Sequence, residues 1–295
     1  MHNAALAALR LNWRYFAADV SPPDLRAAIA GAKAMGFAGL NLTVPHKTAA
    51  LEIMDVLDEK ARLLGAVNTV VFETPGPDGD WIPVGRAPAQ EGRDASPGHL
   101  PVRSRGCNTD AGGLARSLKE DFQWPEDVAP GLRPDSKLRG ASVLLLGAGG
   151  AARAAALQLA EEGVASLFLV NRTAARAAQL AAEVAARFPA VNIIQALPRD
   201  PVDLVINATS LGLKADDPTP LDEDWLKSRR PLRAYDVVYL SAETPFLRAA
   251  RDAGCQTANG LGMLLYQGAA ALELWTGLPA PVEIMRAALK EKLHV

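Results

Sequence analysis

Three short polar segments carry side chains that can bind a small polar molecule and move a proton. They are Asn41-Leu42-Thr43-Val44-Pro45-His46-Lys47, Asn68-Thr69 and Asn108-Thr109-Asp110. Together they supply amides, hydroxyls, one amine and one carboxylate. A lysine paired with an aspartate can exchange a proton with a carbonyl or alcohol oxygen while a hydride arrives or leaves. Each residue alone is more often structural, so the prediction depends on the set. We expect a site for a small polyhydroxylated or carboxylated substrate.

A glycine-rich turn in the middle of the chain predicts a nucleotide site. Residues 143–146 are apolar, Gly-Ala-Gly-Gly-Ala-Ala follows at 147–152, and an alanine-rich helix leads to a second apolar stretch at 167–170. This is the strand, turn, helix and strand of a dinucleotide-binding unit, in which Ala152 replaces the third glycine, as the pattern allows. The glycines let the backbone approach a pyrophosphate, and the helix start offers free N–H groups.

The residues after the second apolar stretch indicate which dinucleotide binds. Asn171-Arg172-Thr173 follows that stretch, and Arg176 comes one helical turn later. An NAD site usually has Asp or Glu here, which accepts a hydrogen bond from the ribose 2′-hydroxyl. Arginine instead forms paired hydrogen bonds with a 2′-phosphate. We therefore expect NADP(H) as cofactor and a redox enzyme; in the alternative, the loop is structural or binds another nucleotide.

The composition excludes several classes of protein. A net charge of −2 over 295 residues gives no sign of a nucleic-acid surface or an anionic-membrane surface. Two cysteines, Cys107 and Cys255, are too few for a disulfide framework. The sequence has no apolar stretch of transmembrane length and no secretory signal pattern. We expect a cytoplasmic protein, monomeric or homodimeric, with a small-molecule partner and without a nucleic-acid partner, a membrane partner or a metal site.

Alternating strand and helix patterns predict an α/β fold. In the first part of the chain we expect a parallel sheet covered by helices, with helices at 3–11, 24–35, 46–55 and 58–64 and strands at 15–20, 39–44 and 67–72. In the second part we expect strands at 143–146, 167–170, 191–194, 203–206 and 234–238. The chain is expected to close with helices at 244–253, 261–276 and 282–293.

The mid-chain position of the glycine turn predicts a two-domain arrangement. We expect an α/β substrate-binding domain formed by 1–109 and 260–295, a Rossmann-type NADP-binding domain over 110–259, and an interdomain cleft for the substrate. Residues 73–105 are rich in proline and lack apolar periodicity. We therefore expect a mobile insertion over that segment.

Eight segments spread over nearly the whole chain resemble the shikimate/quinate dehydrogenase family, in the family's order. They are NLTVPHK (41–47), GAVNTVV (65–71), NTDAGG (108–113), LLGAGGAARA (145–154), NRTAAR (171–176), INATSLGL (206–213), YDVVY (235–239) and NGLGMLLYQGA (259–269). The resemblance implies a reversible, NADPH-dependent reduction of 3-dehydroshikimate to shikimate in aromatic amino acid biosynthesis.

The resemblance also implies roles for individual residues. Lys47 and Asp110 are the implied catalytic pair, with Lys47 giving a proton to the carbonyl oxygen and Asp110 orienting Lys47. The implied substrate contacts are Asn41, Thr43, Asn68, Tyr239 and Gln267. The implied cofactor residues are Gly147, Ala148, Gly149, Gly150 and Ala151 at the turn, Asn171, Arg172, Thr173 and Arg176 at the 2′-phosphate, and Ala208, Thr209, Ser210, Gly260 and Met263 beside the nicotinamide.

The chain departs from the family pattern at its start. The family normally opens with a strand and a Gly-x-Pro…Ser-x-Ser-Pro…His-Asn segment, and Met1-His2-Asn3-Ala4 resembles only the end of it. The two serines bind the substrate carboxylate in the family, so we expect weak substrate binding or poor folding for the chain as written. Cys107 also stands where the family usually has an aromatic residue.

Three alternatives remain open on the sequence. One is a quinate/shikimate dehydrogenase of broad specificity, a class that often favours NAD, against which Arg172 argues. Another is a non-catalytic nucleotide-binding relative, against which the retained Lys47, Asp110, Asn68 and Gln267 argue. The third is a folate-linked dehydrogenase with a similar two-lobe plan, which the order of the motifs fits poorly.

Overall fold

The computed structural model describes residues 1–86, 101–123, 138–214, 216–241 and 243–293. The chain divides into two compact units. Unit 1 comprises Met1–Asp110 and the described residues from Gln267 onward, and unit 2 comprises Ala111–Tyr266. Each unit contains its own β-sheet, and the architecture is α/β as expected.

Unit 1 begins with short alternating elements. Its helices are α1 (His2–Ala8), α2 (Leu25–Ala34), α3 (His46–Ala49) and α4 (Glu59–Leu64), and α5 (Asp110–Asp121) starts at its last residue before unit 2. Its strands are β1 (Gly39–Asn41), β2 (Val56–Leu57), β3 (Thr69–Pro75), β4 (Trp81–Pro83) and β5 (Arg103–Cys107). The apolar face of α2 packs over the sheet, with Leu25 and Ile29 buried in one cluster with Val70 and Phe72.

The sheet of unit 1 is mixed, so the expected parallel sheet is wrong for this unit. Its strand order is β1-β3-β5-β2, with β4 paired to β3. Strand β3 is antiparallel to β1, β4 and β5, and among the described strands of this unit only the pair of β2 and β5 is parallel. The antiparallel pairing of β3 with β4 results from a tight hairpin, in which the Gly76 N–H donates to the Asp80 carbonyl at 2.7 Å. Such a hairpin returns the chain directly beside β3.

Two expected features of unit 1 differ in the structure. Residues 15–20 form no strand, because the backbone N–H and C=O of Tyr15 bond the side-chain amide of Asn3, both at 2.8 Å. Residues 73–75 and 103–105 belong to β3 and β5 rather than to an insertion. Glu73, 3% exposed, accepts from Arg103 at 2.8 Å and from Arg105 at 2.6 Å, so charge pairing replaces apolar alternation there. Within the same expected insertion, residues 81–83 form β4 after the hairpin, and residues 87–100 lie outside the described residues.

Unit 2 contains a parallel sheet between helices. Its strands are β6 (Ser142–Leu146), β7 (Ser166–Val170), β8 (Asn192–Ile194), β9 (Leu204–Asn207), β10 (Arg233–Asp236) and β11 (Gln256–Asn259), in the order β11-β10-β9-β6-β7-β8. Its helices are α6 (Gly150–Glu161), α7 (Ala174–Arg187), α8 (Glu223–Arg229) and α9 (Pro245–Asp252). The strand order reverses between β6 and β9, which is where doubly wound sheets bind ligands. Sequence periodicity missed α8 and β11.

Two long helices close the chain, α10 (Leu261–Thr276) and α11 (Val282–Leu293), with the bounds that the sequence predicted. Helix α10 starts in unit 2 and continues into unit 1 at Gln267. Near its end, the Trp275 indole N–H donates to the Val70 carbonyl of β3 at 2.9 Å. Gly39 makes this packing possible, because any side chain there would collide with the indole. No helix in the described ranges has the length and apolar character that a membrane crossing requires.

Candidate active site

The turn between β1 and α3 presents Lys47. Strand β1 ends at Asn41, the Val44–Pro45 peptide bond is cis, and the His46 N–H donates to the Thr43 carbonyl at 2.8 Å. The Lys47 backbone is also held in place, since its carbonyl accepts a hydrogen bond from the Val67 N–H at 2.8 Å. The Lys47 side chain remains 28% exposed, so its ammonium group is held but accessible.

Asp110 faces this lysine from the first residue of α5. Its backbone N–H donates to the Asn108 side chain at 3.0 Å, and Asn108 is anchored to the Ala66 carbonyl at 2.9 Å. Lys47 Nζ donates to Asp110 Oδ2 at 2.8 Å, and the carboxylate side chain is 14% exposed. The result is an ion pair between an amine and a carboxylate, both partly open to solvent, which can hold or transfer a proton at a bound oxygen.

Asn68 joins the second oxygen of that carboxylate to the rest of the site. It is 1% exposed, and its Nδ2 lies 2.9 Å from Asp110 Oδ1 and 2.9 Å from Thr109 Oγ1. Gln267 Oε1, on α10, lies 3.2 Å from the same nitrogen. The Oδ1 atom of Asn68 accepts from the Thr109 backbone N–H at 2.8 Å. Asn68 is therefore a buried connector, and Gln267 reaches the same cluster from a distant part of the sequence.

The other expected substrate residues differ in their placement. Asn41 contacts the cluster, but its Nδ2 already donates to the Asn68 carbonyl at 3.3 Å and to Thr69 Oγ1 at 3.1 Å. Thr43 is exposed in the turn before Lys47. Tyr239 lies in unit 2, three residues after β10, and is 36% exposed, and its role as a substrate contact stays a prediction.

Three further residues belong to this cluster: the sequence predicted Thr69 and Thr109 only as hydroxyls of the polar segments, and it assigned no site role to Tyr15. Thr69 and Thr109 hydrogen-bond Asn68, and the Tyr15 hydroxyl donates to Asn41 Oδ1 at 3.0 Å. The threonines stood inside the quoted motifs, which was a usable signal. Nothing in the sequence pairs Tyr15 with Asn41, because the contact depends on the folded path of the chain.

The glycine turn of unit 2 contains glycines with two different functions. Gly147 has a φ of +114°, and an added Cβ would lie 2.8 Å from the Ala208 carbonyl oxygen, so the fold itself requires glycine there. An added Cβ at Gly149 or Gly150 would meet no described atom within 4 Å. The space beside Gly149 and Gly150 is therefore open at the start of α6, where the first N–H groups of a helix have no intrahelical partner. That geometry fits a dinucleotide pyrophosphate.

The two arginines expected at the 2′-phosphate stand free at the neighbouring strand end. Asn171 follows β7, and its Nδ2 donates to the Thr173 carbonyl at 2.9 Å, which shapes the turn into α7. Arg172 and Arg176 are exposed, and neither makes an ion pair or side-chain hydrogen bond with another described residue. Two unpaired guanidinium groups beside a dinucleotide turn fit a phosphate ligand.

The turns after β9 and β10 are held by a buried network that sequence reasoning missed. Asn207 Oδ1 accepts from the Thr209 hydroxyl at 2.7 Å, and Asn207 Nδ2 donates to Asp236 Oδ1 at 3.1 Å. Asp236 is fully buried and accepts from the Thr244 hydroxyl at 2.6 Å. Burial raises the pKa of the Asp236 carboxyl, against the effect of these hydrogen bonds. The network fixes the Ala208-Thr209-Ser210 turn, the expected nicotinamide side.

Gly260 and Met263 lie at the beginning of α10. A Cβ at Gly260 would collide with the Val237 carbonyl, so glycine is needed for the close approach of the two backbones. The Gly260 N–H donates to the Val238 carbonyl at 3.1 Å. Met263 is partly exposed in the first turn of the helix. Both residues belong to unit 2, together with the glycine turn and the Ala208–Ser210 turn.

Three family models match the chain. Residues 1–70 match the shikimate dehydrogenase substrate binding domain, residues 132–214 match shikimate / quinate 5-dehydrogenase, and residues 260–290 match the shikimate 5′-dehydrogenase C-terminal domain. A curated relative, the NADP(+) shikimate dehydrogenase of Moorella thermoacetica, is 43% identical over 301 residues, covering 99% of this chain and 88% of the relative.

Solved structures are similar over the same extent. A shikimate dehydrogenase in complex with NADP+ matches with a TM-score of 0.78 and 32% identity, over 99% of this chain and 89% of that one. The shikimate 5-dehydrogenase of Thermus thermophilus, in complex with NADP(H) and shikimate, matches with a TM-score of 0.75 and 32% identity, over 98% of this chain and 92% of that one.

Proposed function

The chain belongs to the shikimate dehydrogenase family, an NADP-dependent class of oxidoreductase, and on this premise we propose that it reduces 3-dehydroshikimate reversibly to shikimate in aromatic amino acid biosynthesis. The observation that carries this proposal is the ion pair between Lys47 and Asp110, 2.8 Å apart and partly exposed, beside the amides of Asn68 and Gln267. These amides give the pair the polar surroundings that a polyhydroxylated substrate needs.

Lys47 and Asp110 divide the proton chemistry between them. Lys47 gives a proton to the substrate carbonyl oxygen as that carbon is reduced, and takes it back in the reverse reaction. Asp110 holds the ammonium group in place and accepts a hydrogen bond from a substrate hydroxyl. The Gln267 amide, 3.2 Å from Asn68, is placed to contact a second hydroxyl. Bound NADPH supplies the hydride.

Unit 2 carries the residues proposed to hold the cofactor. The first turn of α6 and the open space at Gly149 and Gly150 suit the pyrophosphate. Arg172 and Arg176, without side-chain partners among the described residues, suit the 2′-phosphate. The Ala208–Ser210 turn, held by Asn207, limits where the nicotinamide ring can lie.

The proposal is tested by NADPH oxidation with 3-dehydroshikimate, comparing the wild-type chain with Lys47→Ala. Loss of a positioned proton donor lowers kcat by about 10²–10⁴-fold. The matched control is Lys33→Ala, which removes another lysine of unit 1 paired with an aspartate, Asp55, at 3.1 Å. That variant is expected to keep wild-type kcat. Equal loss in both variants would contradict the assignment of Lys47.

Substrate and cofactor comparisons separate the proposal from its alternatives. A higher kcat/KM for quinate than for shikimate, or for NAD than for NADP, would favour a broad-specificity quinate enzyme. NADPH binding without turnover of either acid would indicate a non-catalytic relative. Turnover of 3-dehydroshikimate with NADPH that depends on Lys47 supports the proposed reaction over both.

A further inference from the structure

Four successive hydrogen bonds in unit 1 all point toward the Asp110 carboxylate. The Tyr15 hydroxyl donates to Asn41 Oδ1 at 3.0 Å, and Asn41 Nδ2 donates to Thr69 Oγ1 at 3.1 Å. The Thr69 hydroxyl donates to Asn68 Oδ1 at 3.0 Å, and Asn68 Nδ2 donates to Asp110 Oδ1 at 2.9 Å. We name these five residues the donor chain.

Two backbone groups fix the direction of the donor chain. The Asn68 carbonyl can only accept, so the Asn41 group 3.3 Å from it must be the amide nitrogen, and Asn41 Oδ1 must face the Tyr15 hydroxyl. The Thr109 backbone N–H can only donate, so the Asn68 atom 2.8 Å from it must be the amide oxygen. Asn68 Nδ2 then faces Asp110. The direction of the donor chain cannot reverse without breaking a hydrogen bond to one of these backbone groups.

The middle of the donor chain is closed to solvent. Thr69 is 0% exposed and Asn68 is 1% exposed, so water cannot replace either partner. Burial also raises the pKa of the Tyr15 phenol, which keeps the proton that Tyr15 donates. Hydrogen bonds aligned in one direction polarise one another, and a buried chain has a larger effect on its terminal group than an exposed one.

We propose that Tyr15 and Thr69 are positioning residues. They act through Asn41 and Asn68 to hold the Asp110 carboxylate in the orientation that the reaction needs. This inference depends on the proposed function, because it gives Asp110 its role. Neither positioning residue needs to touch the substrate. Their effect is expected on kcat, with the KM for NADPH unchanged, since the cofactor residues belong to unit 2.

The test compares Thr69→Val, Thr69→Ser and Thr74→Val. Thr69→Val keeps the shape but removes the hydroxyl, and we expect kcat to fall by about 3–10-fold, the equivalent of one hydrogen bond. Thr69→Ser restores the hydroxyl and should recover most of that loss. Thr74→Val is the matched control, because Thr74 is a threonine of the same strand, 5% exposed, whose Oγ1 has no hydrogen-bond partner among the described residues.

Each outcome of this test decides the proposal. A fall in kcat with Thr69→Val but not with Thr74→Val, recovered by Thr69→Ser, supports it. An unchanged kcat in folded Thr69→Val, or an equal fall in Thr74→Val, overturns it. If Thr69→Val does not fold, Tyr15→Phe replaces it as the deciding variant, and a kcat equal to that of the wild type then overturns the proposal.

Wild-type turnover of 3-dehydroshikimate tests the proposed function separately. If the wild type does not turn over, the proposed function fails, and the donor chain is judged by amide exchange of Thr109, whose N–H bonds Asn68 Oδ1. Faster exchange in Thr69→Val than in Thr74→Val would still support the positioning of Asn68. Equal exchange would overturn it.

Discussion

Acid should weaken the fold through one buried histidine of unit 1. His2 is 7% exposed; its Nε2 bonds the Gly268 carbonyl at 3.1 Å, and its ring stacks on Tyr15 with centroids 4.2 Å apart. Burial lowers its pKa from 6.5 to about 4, against the effect of the Gly268 bond. Between these values the unfolded chain binds a proton that the folded chain does not, so stability is lost as the pH falls.

The size of this loss follows from the two pKa values. Each pH unit in the interval costs about 1.4 kcal/mol, so the whole interval costs about 3 kcal/mol of unfolding free energy. His2→Gln keeps an N–H donor for Gly268 but does not titrate. Urea unfolding from about pH 7 to about pH 4 should therefore show wild-type stability falling by about 3 kcal/mol more than that of the variant.

A second variant separates titration from the lost bond. His2→Phe keeps the ring contact with Tyr15 and removes both the proton and the bond to Gly268. It should be less stable than wild type at neutral pH but show the same shallow pH dependence as His2→Gln. Parallel stability curves for wild type and both variants would refute the reasoning, because they would show that His2 titrates alike in the folded and unfolded chain.

Two further predictions concern unit 2. The double variant Arg172→Ala/Arg176→Ala should lower the ratio of kcat/KM for NADPH to kcat/KM for NADH by about 10–100-fold, the equivalent of one or two charged hydrogen bonds. Arg199→Ala, which removes another exposed arginine of the unit, should leave this ratio unchanged. An unaltered ratio in the double variant would contradict the phosphate assignment. Burial raises the folded-state pKa of Asp236, so wild-type stability should fall as the pH rises just above the ordinary carboxyl range. Urea unfolding of Asp236→Asn should lack that fall. Stability curves of wild type and variant that stay parallel through this range would contradict the raised pKa.

The sequence carried most of the information about unit 2. The apolar stretches 143–146 and 167–170 are strands of a parallel sheet; the first is buried throughout, and the second alternates buried and partly buried residues. The open turn at Gly149 and Gly150 follows from residue types alone. Asp236 stands inside the YDVVY segment, but its role was missed because nothing in the sequence pairs it with Thr244, which comes from a different element.

Unit 1 was harder to predict because pairing between distant residues decides its structure. Hydrophobic periodicity does not show the direction of a strand pair, so the antiparallel β3 was not anticipated. The bond between Asn3 and Tyr15 and the charge pair of Glu73 with Arg103 depend on the folded chain path. Within the site, the pairing of Lys47 with Asp110 could be expected from the motifs, whereas the contact of Tyr15 with Asn41 could not.

The continuity of α5 and α10 restricts how this gene can change over evolutionary time. The chain passes between the units at 110–111, after the first residue of α5, and at 266–267, within α10. A one-residue insertion in a helix turns every residue beyond it by roughly 100° about the axis. Insertions and deletions should therefore be rare in α5 and α10 among viable descendants. Recombination that exchanges one unit for a foreign one must preserve two helical registers at once, so the two units are expected to be inherited together.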